Sequence, residues 1–301
     1  MQPTQSSDDG AGSRRSRGEP ARTRTHRRTR GGARRLALIL YALLTGDSSA
    51  RSPLVEQWRS EPVDEQVPPP RAHFLVGNET RHDLFAPVIT GRGGAYLGVG
   101  GDQNYTLVAV SRASLVFLVD HDEKLVALHR ELGRRIFAAV DPASFLAGLE
   151  APGDPPPAPL ADVWPALVRH LRRVAARRQD GAPTTWLGDP VLYAILRDLW
   201  RRGAIYPVVG DLAGDTAMPS IAAAAASRGV AFTVFYLSNV EETLAARDRL
   251  AGNLDALPRA ADAVVLRTRS TAAIPAADGL WSYAHEPLDE LVARTRTAEG
   301  P

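Results

Sequence analysis

The residues of this sequence that could do chemistry are concentrated around one glycine-rich turn. Residues 94–104 read GAYLGVGGDQN, and the next apolar run ends at Asp120, about 20 residues downstream. A buried strand that ends in glycines lets the main chain approach a ligand closely. An acid at the end of the next strand can bind the two hydroxyls of a ribose. The spacing therefore predicts a nucleotide-cofactor site with Gly98, Gly100 and Asp120 as binding residues.

The same turn distinguishes between cofactors. Dinucleotide sites use Gly-x-Gly-x-x-Gly, so that a helix N-terminus can bind the pyrophosphate. Counted from Gly98 and Gly100, the third glycine would be residue 103, which is Gln103. A cofactor without a pyrophosphate suits this turn better. S-adenosylmethionine is one, because its carboxylate and ammonium can meet backbone groups and side chains such as Asp102 and Asn104. NAD is the weaker alternative, and the absence of Gly-x-x-x-x-Gly-Lys-Ser/Thr excludes a P-loop.

Strands and helices are predicted to alternate along residues 73–301. The predicted strands are nearly all apolar, as in a parallel sheet that helices cover on both faces. We therefore predict an α/β fold with a doubly wound, mostly parallel, Rossmann-like sheet and a helical insertion at about residues 141–203. The predicted strands are 95–99, 115–120, 205–209, 230–237 and 263–268, with a short extended piece at 74–76. The predicted helices are 103–111, 121–139, 164–178, 190–202, 217–227 and 240–250.

Acids and amides follow several of these strands, where open parallel sheets bind their ligands. Methyl transfer needs little beyond positioning, and a general base helps only when the acceptor is a poor nucleophile. The candidate bases are Glu79, Asp211 and Glu241, and Tyr236 and Asn239 are candidate orienting groups. Each also has a structural interpretation: Asp and Asn are ordinary turn and cap residues, Glu79 could cap a helix, and Glu241 is placed for a capping box in Ser-x-x-Glu.

Four segments resemble an uncharacterised bacterial family with a Rossmann-like fold of the S-adenosylmethionine-dependent methyltransferase type. The resemblance covers about residues 73–270 and supports the fold more than it supports catalysis. The segments are VGNET at 76–80, GAYLGVGGDQNYT at 94–106, VGDLAGD at 209–215 and FYLSNVE at 235–241.

The resemblance implies roles for individual positions. Gly98 and Gly100 would form the cofactor loop, and Asp120 would bind the ribose. Asp211 would be the acid after the central strand. Asn78 and Glu79 would close over the site from the N-terminal side. Methyltransferases that act on amino groups often carry an Asn/Asp-Pro-Pro-aromatic loop, and this sequence has Asp-Leu-Ala-Gly at 211–214 instead. Amine methylation of nucleic acid is therefore not expected, and the acceptor stays open.

The distribution of charge and the residue composition limit the kinds of partner that the folded body is expected to bind. The chain of 301 residues has a net charge of +2, but residues 1–35 contain ten arginines and three acids, and the remainder carries −5. The basic character belongs to the tail, so we expect a small-molecule ligand and no nucleic-acid surface on the folded body. There are no cysteines, and the seven histidines lack metal-ligand spacing, so no metal site is expected.

The N-terminal residues suggest processing or disorder. Residues 1–35 are almost free of apolar side chains and are predicted to be disordered. Residues 36–50 resemble a secretory signal peptide, with cleavage conceivable after Ala50, and fit equally well the first helix of a cytoplasmic protein. Their apolar run is too short for a stable membrane span. Residues 51–72 are proline-rich and are predicted to be a linker. The alternative function is therefore a non-catalytic Rossmann-like protein, exported or not, that binds a ligand or a partner.

Overall fold

The computed structural model of the protein describes residues 74–243, 246–269 and 277–297. The predictions for residues 1–35, 36–50 and 51–72 lie outside these residues. The described residues form a mixed α/β structure around one six-stranded, mostly parallel sheet, which confirms the predicted fold class. None of the described helices is long and apolar enough to cross a membrane.

The large sheet has the spatial strand order β5-β2-β1-β6-β7-β8. The first five of these strands pair in parallel, and the last is antiparallel to its neighbour. Its strands are β1 (Ala95–Gly98), β2 (Leu115–Asp120), β5 (Ile205–Val209), β6 (Phe232–Ser238), β7 (Arg259–Arg269) and β8 (Ser282–Pro287). Two very short strands, β3 (Arg178–Gln179) and β4 (Ala182–Pro183), form a separate antiparallel hairpin.

Helices cover both faces of the sheet. Alternate residues of the central strands point to opposite layers: Tyr96 and Tyr236 belong to one apolar cluster, and Leu97 and Phe235 belong to the other. This alternation explains why the central strands are continuous apolar runs. The helices are α1 (Ala86–Ile89), α2 (Gln103–Ser111), α3 (Glu123–Ala138), α4 (Pro142–Gly148), α5 (Trp164–Ala176), α6 (Pro190–Arg201), α7 (Ala217–Ser227), α8 (Val240–Thr243), α9 (Arg247–Asp255) and α10 (Leu288–Thr297), with 3-10 turns at His82–Phe85 and Ala158–Leu160.

The C-terminal part of the sheet departs from the sequence prediction. The helix predicted over 240–250 is two helices, α8 and α9, and β7 is longer than the predicted 263–268. Strand β8 and helix α10 were not predicted. The sequence of β8 is SYAHEP, and at this border of the sheet only its first residue, Ser282, is buried, while the others are partly buried or exposed. A strand that is partly exposed lacks the apolar run by which the other strands were found.

The strand order places the switch point of the sheet between β1 and β6. The chain runs outward from β1 through β2 to β5, and then returns to β6 on the other side of β1. Ligands of open α/β sheets bind at such a point, beyond the carboxyl ends of the strands. The expectation that Asp211 follows the central strand is wrong, because β5 is the outermost parallel strand. The strand that flanks β1 at the switch point is β6, which ends at Ser238.

Candidate functional site

The glycine turn after β1 is built by close packing. A Cβ atom on Gly98 would lie 2.6 Å from Cε1 of Tyr96 and would also clash with the Asn104 amide. Gly100 has φ +78°, a conformation that side-chain-bearing residues rarely adopt. Both positions therefore require glycine for the local structure, whatever ligand the turn binds.

Asn104 fixes the main chain of this turn from the protein side. Its Nδ2 donates to the carbonyl oxygens of Val99 at 2.8 Å and Gly101 at 2.9 Å, and its Oδ1 accepts a 2.8 Å hydrogen bond from Tyr96. The side chain is fully buried. Because these bonds use both ends of the amide, Asn104 shapes the turn. Its predicted contact with a cofactor stays a prediction.

His129 fixes the turn from a second direction. Its Nε2 lies 2.8 Å from the carbonyl oxygen of Gly100, and its Nδ1 lies 2.8 Å from the Tyr105 hydroxyl. A carbonyl oxygen only accepts, so Nε2 carries the proton and Nδ1 accepts from Tyr105. Burial lowers the pKa of His129 to about 4, so the ring is neutral at physiological pH.

The Asp120 carboxylate faces the turn. Its Oδ2 accepts a hydrogen bond from the Gly100 amide at 3.3 Å, and its Oδ1 accepts one from the Asp122 amide at 3.0 Å. About a fifth of the surface of the Asp120 side chain, 18%, is exposed. Burial raises the pKa of Asp120, although the two amide hydrogen bonds act in the opposite direction. A carboxylate has about four acceptor positions, so this group can accept further hydrogen bonds from a ligand.

Asp102 connects the turn to the region between α3 and β5. Its Oδ1 lies 2.8 Å from Nε2 of His170 on α5, and both side chains are buried. Burial would raise the pKa of Asp102, but the hydrogen bond and charge of His170, together with the charge of Arg177, lower it below the usual value. Asp102 is thus bonded within the protein. Its predicted contact with a cofactor also stays a prediction.

Residues 75–81, here called the covering segment, cross the carboxyl edge of the sheet. A Cβ atom on Gly101 would lie 3.3 Å from the carbonyl oxygen of Leu75, and one on Gly77 would lie 3.2 Å from Oε1 of Gln103. That Oε1 atom is buried and has no hydrogen-bond partner. A buried acceptor without a partner is unusual and calls for an explanation. It marks the space between the turn and the covering segment.

Glu79 anchors the covering segment to the ends of β6 and β7. Its Oε1 accepts hydrogen bonds from Ser238 at 2.6 Å and Thr268 at 2.7 Å. Its Oε2 accepts from Tyr236 and from His82, the latter at 2.9 Å. Burial alone would raise the pKa of Glu79, but the hydrogen bond and charge of His82, with the hydroxyls, lower it below the usual value. Burial and the Glu79 charge raise the pKa of Tyr236 well above its usual value.

The rest of the covering segment is bonded to β8 and the residues before it. The Tyr283 hydroxyl accepts from the amides of Thr80 at 2.8 Å and Arg81 at 2.9 Å, and donates to Asp278 at 2.6 Å. Asn78 is exposed, and its Oδ1 accepts from Nε1 of Trp281 at 3.0 Å. The covering segment is therefore attached on both sides of Glu79.

The remaining predicted residues lie apart from this cluster or at its border. Asn239 is half-buried, and its Oδ1 is 3.5 Å from the Ser238 hydroxyl. Asp211 follows β5, where its Oδ1 accepts from the Ala213 amide at 2.8 Å. Glu241 forms an ion pair with the buried Arg267, and Ser238 donates to Glu79, so both side chains have other partners than the predicted reciprocal cap. No group of three potential ligands suited to a metal ion occurs among the described residues.

The model of the DUF7790 family, described as a domain of unknown function, matches residues 74–153 and 160–299. The chain belongs to the DUF7790 family. The expectation of an uncharacterised family is thereby confirmed, and its bacterial distribution stays a prediction. No curated protein matches the sequence.

Two solved structures of the rRNA methyltransferase AviRa from Streptomyces viridochromogenes are similar to this DUF7790 chain. One is 17% identical with a TM-score of 0.34, and the other is 16% identical with a TM-score of 0.35. Each alignment covers 70% of this chain and 84% of the AviRa chain.

Several residues of this DUF7790 site were not found from the sequence. Ser238 and Thr268 lie at the ends of adjacent strands, and a hydroxyl at a strand end was the signal that could have found them. His129 and His170 carry no spacing motif, because each meets a partner from a different element. His82 lies three residues after Glu79, but its second partner, Tyr236, is 154 residues away. These distant contacts depend on packing between elements that the sequence does not place relative to one another.

Proposed function

We propose that the crevice beside Gly98, Gly100 and Asp120 binds S-adenosylmethionine, and that the protein transfers the methyl group to a small or medium-sized acceptor. The observation that carries the proposal is the hydrogen bond from the Gly100 amide to the Asp120 carboxylate. It brings a glycine turn and an acid to the carboxyl ends of neighbouring parallel strands, beside the switch point of the sheet.

Two features of the turn fit such a cofactor. The first is the cradle itself, in which a side chain at Gly98 would collide with its neighbours and Gly100 adopts a positive φ of +78°. The second is the unpartnered Oε1 of Gln103, which can accept a hydrogen bond from an ammonium group. Asp120 would bind the ribose hydroxyls through its remaining acceptor positions, and Asp102 and Asn104 would support the turn behind it.

The chemistry divides between cofactor and protein. The cofactor supplies an electrophilic methyl group on its sulfonium, so the protein need only bind, orient and exclude water. Glu79 is buried, accepts from four side chains, and has a lowered pKa. It is therefore a poor proton acceptor, and we assign it to positioning the covering segment and the Tyr236 hydroxyl rather than to general base catalysis.

The saturation of Glu79 also favours the alternative, a Rossmann-like protein that binds a ligand without catalysis. Both proposals place the ligand in the same crevice, and only the first includes methyl transfer to an acceptor. In both, we expect a small molecule rather than nucleic acid, because the chain after residue 35 carries a net charge of −5.

Calorimetry on the full chain tests the proposal. S-adenosylmethionine and S-adenosylhomocysteine are expected to bind with micromolar affinity, and NAD is expected to bind much more weakly. Asp120→Ala should weaken binding at least about tenfold, because charge-assisted hydrogen bonds to the ribose are lost. Asp198→Ala, which removes an exposed ion pair with Arg202, is the control. Absence of binding at millimolar ligand, or equal binding by Asp120→Ala, would contradict the proposal.

Turnover is measured separately. Wild-type protein is incubated with labelled S-adenosylmethionine and a small-molecule extract, and S-adenosylhomocysteine formation is followed. Release that depends on the extract and on Asp120 supports the enzyme, and tight binding without release supports the non-catalytic alternative.

A further inference from the structure

A second cavity lies away from the glycine turn, beside helix α2. It has a volume of about 170 Å³ and is formed by ten residues. Three parts of the chain meet there: the 3-10 turn with α1, one side of α2, and the stretch from the β3–β4 hairpin to α6. Neither the glycines of the turn nor Asp120 is among its lining residues. It is therefore not the crevice proposed for the cofactor.

The lining is mainly apolar. Six of the ten residues have apolar side chains: Ala86, Ile89, Leu107, Val110, Pro183 and Leu192. An engineered apolar cavity of about 150 Å³ takes up benzene, so this volume suits one ring of that size. The four polar lining residues are His82, Asp83, Thr106 and Thr184. The Asp83 carboxylate accepts hydrogen bonds from the Arg81 guanidinium, and the Thr106 hydroxyl accepts one from the Trp186 amide at 3.2 Å. The cavity is thus a mainly apolar chamber with polar groups at four positions.

One of these polar groups is His82. Its hydrogen bonds within the described part of the chain both use Nε2, which lies 2.9 Å from Glu79 and 3.2 Å from the Tyr236 hydroxyl. A carboxylate accepts, so Nε2 carries a proton, while Nδ1 accepts a hydrogen bond when the ring is neutral and donates one when it is charged. A ligand hydroxyl can donate or accept, so it can bond to Nδ1 in either state of the ring, whose other side is fixed by Glu79.

We propose that this cavity is a binding site for a single-ring, mainly apolar molecule with one hydroxyl group, such as a phenol. The apolar wall supplies the shape, and His82 selects for the hydroxyl group. The site is separate from the proposed cofactor crevice. We therefore expect a ligand to bind in this cavity whether or not the protein transfers methyl groups.

The test uses phenol and toluene as probes of nearly equal size. Binding to the full chain is followed by NMR titration, without any nucleotide present. Phenol is expected to bind about threefold to tenfold more tightly than toluene, because only phenol can form a hydrogen bond with His82. Chemical shift changes should centre on His82 and α2.

A pair of variants on α6 locates the binding. Leu192 lines the cavity, and Val191 is its exposed neighbour. Leu192→Phe should fill the cavity and weaken phenol binding at least tenfold, and Val191→Phe should bind phenol as the wild type does. Melting temperatures show whether each variant is folded, and Val110→Phe fills the same cavity from α2 if Leu192→Phe fails to fold. The proposal is overturned if phenol fails to bind at about 10 mM, if toluene binds as well as phenol, or if the filled cavity binds phenol normally.

Discussion

The backbone amide of Gly100 donates a hydrogen bond to Oδ2 of Asp120 at 3.3 Å, across the ends of two neighbouring parallel strands. The turn that offers this amide is fixed from behind by Asn104 and His129. The carboxylate therefore meets a main chain whose geometry is set before any ligand arrives. Such preorganisation lowers the entropic cost of binding.

Gly98 should not tolerate a methyl group. Gly98→Ala places a Cβ against Tyr96 and Asn104, and we expect it to destabilise the protein by about 1–3 kcal/mol. It should also weaken binding of S-adenosylhomocysteine, because Asn104 positions the turn. The control is Gly148→Ala, since nothing lies within 4 Å of a Cβ there. Urea unfolding measures both, and equal stabilities would contradict the packing described for Gly98.

Glu79 should matter for stability. Glu79→Gln removes the charge that pairs with His82 and converts an acceptor oxygen into a donor facing hydroxyl groups. We expect a loss of about 2–4 kcal/mol in unfolding free energy. Glu150→Gln, at an exposed ion pair with Arg172, should change it by less than about 0.5 kcal/mol. If Glu79→Gln abolishes turnover while urea unfolding is unchanged, Glu79 acts in catalysis rather than as an anchor.

His129 should contribute to acid sensitivity. Its pKa is about 4 in the folded protein and about 6.5 when unfolded, so the unfolded state binds more protons between these values. Stability from this residue is therefore present above pH 6.5 and is lost as pH falls towards 4. The expected loss between pH 7 and pH 5 is about 2 kcal/mol.

The pH profile of His129→Gln checks this assignment. The variant keeps a donor for Gly100 without the titration, so its unfolding free energy should depend less on pH. His285→Gln, at an exposed position on β8, should retain the wild-type profile. A profile of His129→Gln that coincides with that of the wild type would show that His129 does not titrate on unfolding as described.

Asp102 and His170 should be coupled. Removal of either partner leaves a polar group buried, so a double-mutant cycle with Asp102→Asn and His170→Asn should give a coupling of about 1–3 kcal/mol. The cycle with Asp198→Asn and Arg202→Gln, an exposed pair on α6, should give about 0.5 kcal/mol or less. Binding of S-adenosylhomocysteine should weaken in Asp102→Asn, because Asp102 immediately follows the glycine turn. Additive effects in the first cycle would contradict a direct interaction.

The sequence by itself determined the parallel core and the approach of Asp120 to the glycine turn. Both follow from local patterns: apolar runs buried on two faces, glycines where no Cβ fits, and an acid at the end of the next strand. Because a strand that follows a βα unit usually pairs with its predecessor, this contact needed no knowledge of the rest of the chain.

Only the tertiary structure determined which residues lie on the β6 side of the site. It placed β6 rather than β5 beside β1, which removed Asp211 from the switch point. It also brought Glu79 to Tyr236, which is 157 residues away in sequence. Neither relationship has a local signature, because strand order and the path of the covering segment depend on how all the layers pack together. The same holds for β8, whose polar sequence forms a strand only because β7 offers an edge to pair with.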